Sequence, residues 1–248
     1  MDKIRTIDQG NSHPHVGLYH QGRLEQVLPI EEFLELDFAQ DEGQILALST
    51  VGPESEVLKK MNGKWCNFKE KRGDHSFAEM PVHYTQRLGD DRLFQAYYIF
   101  EKFSKGENGQ SILLIDAGTF TTFDLIDKEG YQGGIIIPGE RTYFDTFEKG
   151  ANLPSLEHGP NFTGDEKIPQ DTEDAIITGR RWLMEGLFDR VISKYSPQLI
   201  IYTGGHGKMI YNILKEQVEI PSTFIPHLIH DSLYFMAKQF PPDEGGEA

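Results

Sequence analysis

Short apolar runs alternate along the chain with longer stretches in which apolar residues recur at helical spacing. The runs predict β-strands and the longer stretches predict α-helices, an alternation typical of an α/β layer architecture. A long helix is predicted over residues 172–195, after Asp171, whose side chain suits an N-cap. The clearest amphipathic pattern lies within residues 90–103, where one helical face carries these residues: Leu93, Ala96, Tyr97, Phe100 and Phe103.

The predicted elements cover most of the chain. The predicted strands are residues 4–7, 16–19, 44–49, 111–115, 121–126, 134–137, 198–202 and 223–225. The predicted helices are residues 29–36, 55–61, 90–103, 141–149, 172–195, 208–215 and 229–240. Because the polar segment 105–110 reads as a linker, we expect one half over residues 1–107 and another over 108–248, with a disordered tail at 241–248.

Two segments of the sequence follow the same plan. IDQGNSHPHVGLY begins at Ile7 and IDAGTFTTFDLI begins at Ile115, and in each a strand ends in an aspartate that precedes a glycine turn and a second apolar run. The two aspartates, Asp8 and Asp116, are 108 positions apart. A third turn, TGGHG at 203–207, closes another apolar strand. The sequence therefore predicts a duplication, with a glycine turn at a strand end in each half.

Glycine turns of this kind can hold phosphate, because successive backbone N–H groups form a concavity for its oxygens. An aspartate just before such a turn repels phosphate unless a cation lies between them, so Asp8 and Asp116 indicate metal coordination, directly or through water. The alternative for each copy alone is an ordinary hairpin turn in which the aspartate caps its own backbone. Two copies at matching places favour the phosphate site.

The segment RLGDDRLF at 87–94 is the next candidate for chemistry. Asp90 or Asp91 stands at a predicted helix start, where the helix dipole stabilises a carboxylate, and Arg92 follows in the first turn. A carboxylate there suits a general base, and the arginine suits a substrate carboxylate. A simple aspartate N-cap with an exposed arginine is the alternative that this segment leaves open.

The charge balance narrows the classes of function. The 248-residue chain has 24 Lys and Arg against 39 Asp and Glu, a formal net charge of −15 at pH 7. Because phosphate backbones attract basic surfaces, we expect no nucleic-acid partner. We expect no membrane span, since no uncharged apolar stretch is long enough, and no intramolecular disulfide, since Cys66 is the single cysteine. The composition favours a cytoplasmic protein.

A series of short motifs connects these features in order along the chain. They are D-x-G-N-S at 8–12, S-T-V-x-P at 49–53, G-x-D-R at 89–92, D-x-G-T-x-x-T-x-D at 116–124, G-G-x-I-x-P-G at 133–139, Leu153-Pro154, Asp171-Thr172 and Thr203-Gly204-Gly205. In this order the chain resembles the type III pantothenate kinases, members of the acetate and sugar kinase/actin-like ATPase superfamily. The resemblance extends over nearly the whole sequence.

The resemblance implies a fold and a reaction. The fold is a duplicated ribonuclease-H-like (actin-like ATPase) α/β fold with the nucleotide between its two halves. The reaction is ATP-dependent phosphorylation of pantothenate, the first step of coenzyme A biosynthesis. The resemblance also implies Mg²⁺, a monovalent cation (K⁺ or NH₄⁺), and a homodimer with pantothenate bound near its interface.

The resemblance further implies roles for the matching residues. Asp91 is the implied general base for the pantothenate hydroxyl. Contacts with pantothenate are implied for Gly89, Arg92, Thr172 and, as a looser equivalent, Tyr84. Nucleotide contacts are implied for Asp8, Gly10, Asn11, Ser12, Gly118, Thr119, Gly204 and Gly205. Metal contacts are implied for Asp8, Asp116 and, near the monovalent cation, Asp124.

Two departures from the family pattern keep other functions open. Phe120 stands where the family has a small residue after D-x-G-T, which leaves a non-catalytic, nucleotide-binding regulatory paralogue as one alternative. The segment 84–88 before G-x-D-R is shorter than in the family, which leaves a kinase or phosphatase of another small molecule as the other. Measuring ATP affinity together with hydrolysis, and a panel of acceptors, separates these functions.

Overall fold

The fold is known from a computed structural model of the chain, which describes residues 2–10, 14–51, 56–150 and 168–242. The twelve strands in the described residues are β1 (Ile4–Gln9), β2 (His15–His20), β3 (Arg23–Pro29), β4 (Ile45–Thr50), β5 (Lys64–Trp65), β6 (Ser76–Phe77), β7 (Met80–Pro81), β8 (Ile112–Ala117), β9 (Phe120–Asp127), β10 (Gly130–Pro138), β11 (Leu199–Thr203) and β12 (Ser222–Phe224). The α-helices there are α1 (Ile30–Leu34), α2 (Asp90–Ile99), α3 (Glu140–Asp145), α4 (Thr172–Tyr195), α5 (Gly207–Leu214) and α6 (Leu228–Gln239).

The chain divides into two compact units. The first contains residues 1–110, 124–133 and 227–248, and the second contains residues 111–123 and 134–226. These units differ from the halves expected at 1–107 and 108–248, because α6 and the distal ends of β9 and β10 belong with the first unit. Most of the tail predicted at 241–248 lies outside the described residues.

The first unit is built on a five-stranded sheet of order β3-β2-β1-β4-β5. The strand β1 is antiparallel to β2 and parallel to β4, and Asp8 near its end is in register with Ser49 of β4. A buried apolar cluster packs on the sheet and includes Ile7, Val16 and Phe33. The register therefore brings the first predicted glycine turn to the carboxyl end of two neighbouring parallel strands.

The second unit contains a sheet of order β10-β9-β8-β11-β12, the same order as in the first sheet when each half is counted from its own first strand. The strand β8 is parallel to β11, and Asp116 is in register with Thr203. The long helix α4 contributes Met184 and Phe188 to the buried cluster of this unit. The repeated strand order confirms the predicted duplication.

The helix α4 begins and ends where the sequence predicts. The Asp171 carboxylate accepts the backbone N–H of Asp174 at 2.9 Å, which confirms the predicted N-cap. The prediction over 90–103 is right in position, but α2 gives way to a π-helical turn over Phe100–Ser104. The helix predicted over 55–61 is wrong, since the described part contains only a 3₁₀ turn at Leu58–Lys60.

A buried histidine in α6 links this helix to the first sheet. His230 is 2% exposed, and its Nδ1 lies 2.8 Å from the Thr6 hydroxyl in β1. Burial, and secondarily the charges of His227 and His15, lower the pKa of His230 to about 3. The fold therefore holds this imidazole in its neutral form.

This burial predicts an acid sensitivity of folding. The histidine has a pKa near 6.5 in an unfolded chain, so its stabilising effect is complete above that pH and is lost as pH falls toward 3. His230 alone is expected to lower the free energy of unfolding by about 2 kcal/mol between pH 7 and pH 5. Urea titrations at both pH values should show that the free energy of unfolding falls less between pH 7 and pH 5 for His230→Gln than for the wild type. His20→Gln, at the exposed end of β2, serves as the control and should keep the wild-type loss. An equal loss in His230→Gln would contradict the assignment.

Candidate active site

The G-x-D-R motif forms the start of α2. Gly89 is the N-cap, and the Asp91 carboxylate folds back to accept the Arg92 backbone N–H at 2.8 Å. A Cβ atom at Gly89 would lie 2.6 Å from Asp91 Oδ1, so only glycine allows this carboxylate position. Burial raises the pKa of Asp91 above its usual range, opposed by the hydrogen bond from the Arg92 N–H and by the Arg92 charge. The result is a sheltered carboxylate with raised basicity, a property that suits proton abstraction.

The two aspartates of this motif differ in their partners. Asp90 Oδ1 lies 3.4 Å from Arg72 Nη1, and Arg72 also donates to the carbonyls of Gln86 and Leu88. The Asp90 carboxylate thus helps to join the segment before α2 to the helix. These contacts favour Asp91 over Asp90 as the base.

Arg92 makes a buried ion pair with Asp124, a residue 32 positions further along the chain. Its Nε lies 3.1 Å from Asp124 Oδ2, and its Nη2 bonds Asp124 Oδ1. The Tyr131 hydroxyl accepts from Nη2 at 2.8 Å and donates to Asp124 Oδ1 at 2.6 Å. The guanidinium carbon lies 5.5 Å from the centre of the Tyr84 ring. All these groups belong to the first unit.

The first glycine turn follows β1. Asp8 is half-buried, and its neighbour across the parallel register, Ser49, is fully buried. Within the described chain the Ser49 hydroxyl has no hydrogen-bond partner. Among the described residues, which leave out 11–13, a Cβ atom at Gly10 would meet only Asp8 Oδ2, at 3.8 Å. Asn11 and Ser12, predicted nucleotide contacts, lie outside the described residues.

The second glycine turn packs against the TGGHG turn. Gly204 has φ +87°, and a Cβ atom there would lie 2.4 Å from Asp116 Oδ1 and 2.6 Å from the Ala117 carbonyl oxygen. The His206 backbone N–H donates to that carbonyl at 2.9 Å. The second unit therefore brings Asp116 and Gly204, two residues implicated separately by the sequence, into direct contact.

The G-G-x-I-x-P-G run also reaches this turn. Thr119, at the tip of the turn, is exposed, and its carbonyl accepts from the Gly139 N–H at 3.0 Å and from the Thr142 hydroxyl at 2.7 Å. The Gly118 N–H donates to the Phe120 carbonyl at 3.0 Å. The Phe120 side chain is 45% exposed, so the ring points away from the interior of the turn and leaves its backbone geometry intact.

The remaining predicted residues lie on the second unit. Gly205 is exposed, and a Cβ atom there would meet no atom of the described part of the chain within 4 Å. Thr172 is the exposed first residue of α4 and borders a cavity of about 480 Å³ that Tyr143 and Ile176 also line. The motif Leu153-Pro154 lies outside the described residues. Thr172 belongs to the second unit, whereas Asp91 and Arg92 belong to the first.

The carboxylates of the two turns have the donor chemistry that Mg²⁺ requires. Asp8 is in register with Ser49, whose hydroxyl has no hydrogen-bond partner among the described residues, and Asp116 lies in a cradle that a Cβ atom at Gly204 would fill. Asp124, the residue associated with the monovalent cation, differs from the other two because both of its oxygens accept hydrogen bonds from Arg92. In the described residues, no three His, Cys, Asp or Glu side chains form a ready-made metal cluster.

The sequence patterns did not reveal Tyr131 as a residue of this site. Tyr131 lies in β10, seven positions after Asp124 and across the same hairpin, and is fully buried. Spacing within the hairpin could have paired Tyr131 with Asp124, but no local pattern connects either residue to Arg92.

No helix in the described parts of the chain has the length and hydropathy to cross a membrane.

Solved structures define the class of this fold. A protein from Campylobacter jejuni described as a Baf family transcriptional activator superposes with a TM-score of 0.62 at 21% identity, covering 96% of this chain and 98% of that one. A protein from Sinorhizobium meliloti described as a 2-dehydro-3-deoxygalactonokinase superposes with a TM-score of 0.52 at 10% identity, covering 98% of both chains. The duplicated sheets and glycine turns are those of the actin-like ATPase and sugar kinase fold.

Sequence comparison narrows this class to one family. A family model for type III pantothenate kinases matches residues 5–194. The chain is similar to three proteins named type III pantothenate kinase. The protein from Fervidobacterium nodosum is 27% identical, over 87% of this chain and 92% of that relative. The protein from Persephonella marina is 30% identical, over 75% of this chain and 72% of the relative, and the protein from Pelagibacter ubique is 29% identical, over 66% of this chain and 64% of the relative. The chain belongs to the type III pantothenate kinase family, which confirms the resemblance seen in the motifs.

Proposed function

We propose that this protein transfers the γ-phosphoryl group of ATP to the hydroxyl of pantothenate, giving 4′-phosphopantothenate, the first step of coenzyme A biosynthesis. The observation that carries the proposal is the half-buried Asp91 carboxylate beside Arg92 at the start of α2, in a chain of the type III pantothenate kinase family. The raised pKa of Asp91 and its glycine-enabled position support a general base.

In this proposal the chain's own residues position the two substrates. Asp91 takes the proton of the attacking hydroxyl, and Arg92 binds the pantothenate carboxylate, with Gly89, Tyr84 and Thr172 as further contacts. Phosphoryl transfer mainly requires alignment and charge neutralisation, with a base within reach of the hydroxyl.

The glycine turns supply the nucleotide contacts of the proposal. In this proposal Gly10, Asn11 and Ser12 of the first turn, and Gly118 and Thr119 of the second turn, lie next to the phosphate oxygens of ATP. Gly204 and Gly205 lie at the turn proposed for the nucleoside. The tight packing of the Gly204 turn on Asp116 supports a shared site for nucleoside and phosphates within the second unit.

Cations complete the proposed site. Asp8 in the first unit and Asp116 in the second are each residues that would hold Mg²⁺, directly or through water, and a bound Mg²⁺ would neutralise charge on the ATP phosphates. We also propose activation by a monovalent cation, K⁺ or NH₄⁺. Asp124 is left out of its ligand set because of the contacts with Arg92.

The assembly and location belong to the same proposal. We expect a homodimer, which exposed apolar residues of α4 support: Trp182 is 49% exposed and Leu183 is 61% exposed. We expect the enzyme to work in the cytoplasm, where its single cysteine, Cys66, stays a thiol.

An acceptor panel tests the proposal. The protein is incubated with ATP, Mg²⁺ and either K⁺, NH₄⁺ or Na⁺, and ADP formation is followed with pantothenate and with other small primary alcohols and sugars as acceptors. We expect turnover with pantothenate, stimulation by K⁺ or NH₄⁺ over Na⁺, and loss of turnover on addition of EDTA. ATP binding without transfer to any acceptor would contradict the kinase and favour the regulatory paralogue.

A further inference from the structure

We propose that Asp124 and Tyr131 are positioning residues that hold Arg92 in one orientation for the acceptor's carboxylate, and that Asp124 is not a ligand of the monovalent cation. The inference rests on the proposed function, because it assigns the way in which Arg92 meets pantothenate. The family motif alone associates Asp124 with the cation, whereas this inference makes Asp124 a residue that positions Arg92.

Hydrogen bonds fix one edge of the Arg92 guanidinium. Asp124 Oδ2 accepts from Nε at 3.1 Å, Oδ1 accepts from Nη2, and the second Nη2 hydrogen points to the Tyr131 hydroxyl at 2.8 Å. The carboxylate therefore accepts two hydrogen bonds from one side of the guanidinium, and the tyrosine hydroxyl accepts the third N–H on that side. Nη1 takes no part in these three hydrogen bonds, and in this proposal it is the nitrogen that meets the acceptor's carboxylate.

Burial makes this arrangement selective against a cation. Asp124 is 0% exposed and Arg92 is 7% exposed, so their attraction acts at short range with little screening by water. A K⁺ ion bound to Asp124 would lie beside a guanidinium of the same sign and would have to displace its donors. The guanidinium therefore already provides the positive charge that Asp124 requires.

Aromatic rings restrict Arg92 from other directions. The Tyr84 ring centre lies 5.5 Å from the guanidinium carbon and 6.0 Å from the Tyr131 ring centre, with these two rings edge-to-face. The guanidinium thus has a ring on one face and the Asp124–Tyr131 pair along one edge. An acceptor carboxylate meets a donor whose direction is set before binding, which lowers the entropy cost of binding.

The backbone places this hairpin end beside the segment that carries Tyr84. The His83 N–H donates to the Tyr131 carbonyl at 2.8 Å, and Val82 forms a parallel bridge with Tyr131. Gly130 has φ +102°, and a Cβ atom there would lie 2.1 Å from the Pro81 carbonyl oxygen. The hairpin therefore packs too closely for another residue at 130, and its register delivers Asp124 and Tyr131 to Arg92.

The test is steady-state kinetics of Asp124→Asn in the full chain, with calorimetry of pantothenate binding as a readout independent of turnover. The variant keeps the side-chain shape and removes the charge that orients Arg92. We expect the KM and the Kd for pantothenate to rise about tenfold or more, with kcat reduced less and the NH₄⁺ activation constant within about twofold of the wild type. A tenfold rise in the NH₄⁺ constant with an unchanged pantothenate KM would overturn the inference.

Tyr131→Phe keeps the test decisive even if Asp124→Asn fails to fold. It removes only the hydroxyl, leaves the ring in place and keeps the ion pair, so we expect a rise of about threefold in the pantothenate KM. A wild-type KM in Tyr131→Phe, or a fall in kcat with no change in KM, would overturn the inference. Wild-type protein that does not phosphorylate pantothenate would instead refute the proposed function itself, so the two failures are distinct.

Discussion

Asp91→Asn is expected to lose about a thousandfold in kcat, the scale of a general base that takes a proton in the transition state. The amide keeps the size of the carboxylate and can remain beside the Arg92 N–H, so ATP affinity should stay within about twofold of the wild type. Stopped-time assays of ADP formation with pantothenate, together with ATP titration by calorimetry, measure the two quantities. The raised pKa of Asp91 also predicts that kcat/KM in the wild type falls as pH drops through that pKa, because the protonated acid cannot accept the hydroxyl proton.

Asp90→Asn is the matched control for this substitution. It makes the same chemical change one position earlier, at a carboxylate that faces Arg72. We expect kcat within about fivefold of the wild type, since the contact is structural and partly exposed. Equal losses in both variants would show that the effect comes from the helix start and not from a base at Asp91.

Gly204→Ala is the second substitution with a large expected effect. The added Cβ atom would lie 2.4 Å from Asp116 Oδ1 and 2.6 Å from a backbone oxygen, at φ +87°, where L-residues are strained. Strain and displacement of about 1–3 kcal/mol correspond to a loss of about 5- to 150-fold in kcat/KM for ATP. The measurement is the ATP dependence of turnover at saturating pantothenate, with thermal unfolding recorded in parallel.

Gly186→Ala provides the control for this change in the same unit. Gly186 lies within α4, and a Cβ atom there would meet no atom of the described residues within 4 Å. Because alanine favours a helix over glycine, thermal stability should be equal to or above that of the wild type, and the KM for ATP should not change. An ATP dependence in Gly204→Ala as good as in Gly186→Ala would mean that the turn does not serve the nucleotide.

Much of the architecture could be predicted because its signals are local. The helix α4 has an N-cap at Asp171 and good helix-forming residues, and its observed bounds equal the predicted ones. The strand β3 was missed, because an edge strand with both faces partly exposed shows little alternation of apolar and polar residues. The end of α2 was placed too late, because apolar spacing does not distinguish an α-helical turn from the π turn at Phe100–Ser104.

The site residues could be predicted where they belong to one local turn. They could not be predicted where their arrangement depends on tertiary contacts. Asp8 and Asp116 stand out because each precedes a glycine turn. The contact between Asp116 and Gly204 depends on the parallel register of β8 and β11, which no local pattern specifies. The pairing of Arg92 with Asp124 spans 32 positions and depends on where a hairpin end packs.

The net negative charge of the chain does not describe the local charge that ATP would meet at the proposed site. The net charge of −15 is a property of the whole sequence, whereas ATP would meet glycine-turn amides and cations held by Asp8 and Asp116. The turns thus supply positive potential locally within an acidic protein. This is the reason for the expected loss of turnover when divalent metal is removed.

Product analysis after incubation with ATP, Mg²⁺, NH₄⁺ and pantothenate tests the central claim most directly. Phosphorus NMR and mass spectrometry identify the acceptor's fate without relying on a coupled assay. We predict one new phosphate monoester on the primary hydroxyl of pantothenate, formed in equal amount to ADP, and none with Asp91→Asn over the same period. ADP with free phosphate in place of the monoester, or no ADP from folded wild-type protein, would contradict the assignment of this chain as an active pantothenate kinase.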